Sequence, residues 1–80
     1  MRIYSDDHDS AVKEVILLLK RHEALYLIGA LENMLESKEI CDHHHINDDT
    51  YEHEITVGLY DEQNLAGFSD RMKKLIKEDK

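Results

Sequence analysis

Leu65, Phe68, Met72, Leu75 and Ile76 recur at the three- and four-residue intervals of a single helical face. Asp61 stands where a carboxylate can accept from the free N–H groups of a first turn. Glu62 follows it and lysines crowd the far end, so the pattern predicts a helix over residues 62–76. Just before it, Ile55, Val57 and Leu59 alternate with Glu54, Thr56, Gly58 and Tyr60, as a half-buried strand over residues 54–60 would. Val15, Ile16, Leu17, Leu18 and Leu19 are apolar on both alternations, which predicts a strand covered on two sides at residues 14–20. Ala24, Leu27, Ile28, Leu31, Met34 and Leu35 share a helical face that breaks when carried back to Lys20, Arg21 and His22. A helix over residues 23–37 follows; one unbroken helix over residues 11–38 is the alternative.

Residues 2–5 can pair with the strand at 14–20 through the acidic turn at residues 6–9. Residues 41–47 form a further short strand, with Asn47, Asp48, Asp49 and Thr50 as the turn after it. The expected fold is α+β, a single two-layer β-β-α-β-β-α domain over residues 1–80. Its four-stranded, mainly antiparallel sheet carries two helices on one face. In that arrangement Ile16, Leu18, Thr56 and Tyr60 lie on the face without helices. Leaving such apolar side chains in water costs a small domain a few kcal/mol at about 25 cal/mol per Å2. A partner surface, with a second copy making a dimer, is the expected remedy.

Size sharpens that expectation. Eighty residues bury only about 60 to 65% of the surface that the unfolded chain exposes. Cys41 is alone, which excludes an internal disulfide. One thiol and no secretory leader fit a cytoplasmic setting. The apolar run at residues 15–19 is too short to cross a bilayer. Eighteen acidic and ten basic residues set the net charge at −8, which argues against nucleic acid and for a basic protein partner. Residues 69–80 run the other way, with five basic residues against three acidic ones, as a helix end complementing its own dipole does.

His43, His44 and His45 are consecutive and sit in an acidic stretch with Asp42, Asp48, Asp49, Glu52 and Glu54. On a strand His43 and His45 share one face, and His44 shares the other with Ile46. Two imidazoles at that spacing can chelate zinc or nickel if His53 or one of Asp42, Asp48 and Asp49 supplies a third ligand. No Cys-x-x-Cys or His-Glu-x-x-His supports that alternative. In the plainer reading the histidines partly neutralise an acidic hairpin and hold its shape. A third reading makes the cluster a recognition surface. Cys41 beside His43 would allow a thiolate–imidazole pair in a minor enzyme, but a nucleophile also needs a cleft and an oxyanion site.

Glu23-Ala24, Leu27-Ile28, Leu31-Glu32 and Leu35, then His43-His44-His45-Ile46, Glu54-Ile55-Thr56-Val57 and Phe68-Ser69-Asp70-Arg71, resemble small bacterial proteins with a His-x-His strand. In size, acidity and histidine placement they are similar to immunity proteins of polymorphic-toxin systems. The resemblance implies a cytosolic, non-enzymatic protein that binds another protein, and it transfers no catalytic residue. The leading expectation is therefore a protein-binding domain. Its contacts would be His43, His45, Asp48, Asp49 and Glu52, together with Ile16, Leu18 and Tyr60 on the uncovered sheet face.

Overall fold

A computed structural model describes residues 1–37 and 42–80. The class is α+β. The elements are β1 (Ile3–Ser5), β2 (Ser10–Val12), α1 (Arg21–Glu36), β3 (His43–Asn47), β4 (Glu54–Gly58) and α2 (Asp70–Glu78). They fall into two compact units, one of Met1–Leu17 with Asp61–Lys80 and one of Leu18–Tyr60. No helix among the described residues is long and apolar enough to cross a membrane.

The expected four-stranded sheet is replaced by two antiparallel two-stranded sheets, β1–β2 and β3–β4. The missing link is the strand expected at residues 14–20, which is neither strand nor helix. The turn at residues 6–9, where Asp9 takes a positive φ of 47°, sets the register Ile3↔Val12. In that register β1 is used up at β2, and nothing in residues 1–5 stands opposite residues 15–19. All five apolar side chains there are exposed, between 39 and 91%. The proposed uncovered sheet face holding Ile16, Leu18 and Tyr60 therefore does not exist. Ile16 and Leu18 are exposed outside any sheet, and Tyr60 is half-buried beyond the end of β4 at Gly58.

In the first unit, α2 begins at Asp70 and not at residue 62. Ser69 takes the cap, its hydroxyl accepting from the Met72 N–H at 3.2 Å. Asp61 caps only a local turn, accepting from the Gln63 N–H at 2.9 Å. Gly67 between the two competing caps disfavours a continuous helix by about 1 kcal/mol relative to alanine. Leu75 and Ile76 are buried. Arg2 Nε donates to the carbonyls of Leu75 and Ile76, both at 3.1 Å, so a cation satisfies the helix C-terminus. Arg71 anchors the β1–β2 turn. Its Nε donates to Asp9 Oδ1 at 2.7 Å, its Nη2 to the Asp9 carbonyl at 3.2 Å, and its guanidinium lies 4.6 Å from the Tyr4 ring centre. The Tyr4 hydroxyl, which also donates to the Asp9 carboxylate, and then Arg71 hold that carboxyl below its ordinary value.

In the second unit, α1 starts two residues before the expected position. Glu23 explains the start: it is buried, and its Oε1 accepts from the Lys20 N–H at 2.8 Å, the acid half of a capping box. Glu23, Ala30 and Met34 form the buried face of α1, and Ile46 of β3 is buried with them. Ile46 pairs with Ile55, and His44 with Val57, so these four side chains share the inner face of the β3–β4 hairpin.

Candidate functional site: a histidine–carboxylate hairpin

The register of β3–β4 places His43 opposite Gly58 and His45 opposite Thr56 on the outer face. Both histidines are exposed, and their rings meet edge to face with centroids 5.0 Å apart. His45 Nδ1 lies 2.6 Å from Glu54 Oε1 and 2.8 Å from Thr56 Oγ1, so a cross-strand carboxylate and hydroxyl orient the ring. Gly58 stands beside His43 with room for an ordinary side-chain contact. A Cβ added at Gly58 would sit 3.4 Å from the Asp42 carbonyl and 3.5 Å from His43 Cβ.

The turn is organised by Asp48. Its Oδ1 accepts from the N–H of Glu52 at 3.0 Å and of His53 at 3.2 Å, and from the Thr50 hydroxyl at 3.3 Å. Its Oδ2 accepts from His53 Nδ1 at 2.5 Å. Tyr51 takes a positive φ of 57° to close the loop. One carboxylate thus does for the turn what a backbone ladder does for a strand. Asp49 points back to α1, with His22 Nε2 3.2 Å from its Oδ1. His22 in turn meets the Tyr26 ring edge-on at 5.9 Å.

These bonds set protonation. The hydrogen bond from His53, followed by the backbone N–H groups of His53 and Glu52, holds the Asp48 carboxyl below its ordinary value of 3.8. The same bond and the Asp48 charge push His53 above its ordinary 6.5. A raised histidine stabilises fully below 6.5, and that contribution is lost as pH rises through the raised value. A lowered carboxyl stabilises above 3.8, and its contribution is lost as pH falls through the lowered value. The stability difference between the protein and a His53→Gln variant is therefore expected to be greatest between pH 3.8 and 6.5 and to shrink above it. Paired denaturation series measure this difference, and a gap that widens toward pH 8 would contradict the assignment.

Of the residues singled out from sequence, His43, His45, Asp48, Asp49, Glu52 and His53 all lie on this hairpin, but they do not converge. His53 is pinned to Asp48, three residues beyond Thr56, the residue opposite His45. Among the described residues no three His, Cys, Asp or Glu side chains are placed to hold a metal ion. Cys41 lies outside the described residues. Sequence reasoning missed the pinning role of Asp48 and the buried cap Glu23. It also missed a groove of about 540 Å3 between α1 and the hairpin, with Leu25, Tyr26, Gly29 and Asn33 on one wall and His44, Asn47 and Tyr51 on the other. Gly29 opens that wall, since a Cβ there would meet nothing within 4 Å.

No family model, curated protein or solved structure matches this chain. The outer face of the β3–β4 hairpin offers oriented imidazoles and carboxylates on a solvent-exposed surface. Such a surface can recognise charge and shape.

Proposed function

We propose that this chain is a small, acidic, non-enzymatic protein-binding domain that engages a basic partner through the outer face and turn of the β3–β4 hairpin. The observation that carries the reading is the internal pinning of Asp48. By fixing the turn, it leaves Asp49, Glu52 and the His43–His45 pair exposed on a preorganised frame. Preorganisation lowers the ordering cost of association. A net charge of −8 accelerates encounter with a cationic surface. The exposed apolar residues Ile16 and Leu18 offer a second, extended contact outside the hairpin. An immunity-like role in the cytoplasm, in which the acidic hairpin covers the lysines and arginines of a basic toxin, is the concrete form of this reading.

The test is capture of a partner from the native host, in parallel with an Asp49→Lys/Glu52→Lys variant. The reading expects a basic protein that binds the unaltered chain, is released by raised salt and is not retained by the variant. A partner held equally by both chains and indifferent to salt would place the binding surface elsewhere and overturn it.

A further inference from the structure

We infer that α1 is also a dimerisation element, packing antiparallel against α1 of a second copy along a face that the hairpin does not cover. This surface is separate from the β3–β4 turn, so the inference stands or falls independently of the proposed partner.

The apolar arc of α1 is wider than its cover. Glu23, Ala30 and Met34 are buried, whereas Leu25, Ile28, Leu31 and Leu35 remain 65, 52, 39 and 73% exposed. At about 100° per residue, Ala24, Ile28, Leu31 and Leu35 form a straight row roughly 100° around the helix from the buried face. Their spacing of four, three and four residues is that of a helix–helix seam. The row is symmetric about the point between Gly29 and Ala30. In an antiparallel pair related by a twofold axis, Ala24 falls opposite Leu35 of the second copy and Ile28 opposite Leu31. Small meets large at the two ends of the seam, where Ala24 faces Leu35, and Ile28 meets Leu31 at its centre.

Charge points to the same occupant. Lys20 and Arg21 lie at the helix N-terminus, Glu32 and Glu36 toward its C-terminus, and no basic residue occupies the last turn. Apart from Glu23, this order opposes the helix's own dipole. An antiparallel copy reverses the relation, bringing Arg21 of each chain near Glu36 of the other and opposing the two dipoles. On this row Ile28, Leu31 and Leu35 leave roughly 300 Å2 of surface in water, the size of a substantial apolar patch on a small protein. A typical interface takes about 800 Å2 from each partner, so the flanking polar side chains of α1 would supply the remainder.

Sedimentation equilibrium of the full chain tests the inference. The expected mass is twice 9.4 kDa. Leu35→Glu and Ile28→Glu alter exposed positions and are expected to raise the dimer dissociation constant at least ~100-fold, while circular dichroism stays helical. Arg21→Glu or Glu36→Arg alone should weaken the dimer roughly tenfold, and the two together should restore it. A chain that remains 9.4 kDa at millimolar concentration, a dimer that survives Leu35→Glu, or a double charge swap weaker than either single change would each overturn it.

Discussion

Met34→Ala is expected to unfold the helix–hairpin unit at 25 °C. Met34 is 2% exposed and lies with Ala30 and Ile46 in the small apolar centre that joins α1 to the β3–β4 hairpin. Truncating a buried methionine costs about 2 to 5 kcal/mol, combining lost transfer energy with a residual cavity. A unit of this size holds only about 2 to 6 kcal/mol of stability at typical values per residue, and an isolated hairpin cannot survive without its helix. Met34→Leu conserves volume and is expected to cost less than about 1.5 kcal/mol. Urea denaturation followed by circular dichroism separates the two. Equal midpoints for Met34→Ala and the unaltered chain would show that the packing of α1 on β3 does not hold the unit together.

Reversing the hairpin charge gives the second large effect. Asp49→Lys with Glu52→Lys changes the local charge by four units on an exposed turn while sparing Asp48, the group that holds the loop. Affinity for the basic partner is expected to fall about 100-fold or more, mostly through slower association at low salt. Because exposed charges are screened beyond about 10 Å at 0.1 M salt, the gap between the two proteins should narrow as salt rises. Association rates measured across a salt series check both points. A variant that differs from the unaltered chain only in dissociation rate would mean that the contact is not steered by charge.

Legibility from sequence divided along physical lines. The α1 stripe and the alternation of Ile55 and Val57 announced helix and hairpin because both elements pack one face on the other within a short span of chain. The outward pairing of His43 and His45 followed from strand periodicity alone. Residues 15–19 misled because an apolar run reads as burial, and the register of β1–β2, which leaves them without a partner, depends on a turn whose geometry composition does not reveal. The start of α2 was misplaced at Asp61, because Ser69, a second competent cap beyond Gly67, begins the helix eight residues later. The pinning of His53 by Asp48 joins groups five residues apart through bonds that no spacing rule specifies, although Asp48 two residues before Thr50 already signalled a side-chain-organised turn. Glu23, three residues after Lys20, was the overlooked sign of where α1 begins.

Beside the pinned hairpin, the proposed binding surface draws on the apolar run at residues 15–19, which the chain itself leaves uncovered. Amide hydrogen exchange of the intact protein measures this most directly. Amides of residues 15–19 are expected to exchange at nearly the unprotected rate, while those in the middle of α1 are protected by the unit's stability. Protection of residues 15–19 equal to that of α1 would mean that the run is folded into its own chain, and it would contradict the proposal that Ile16 and Leu18 present a binding contact.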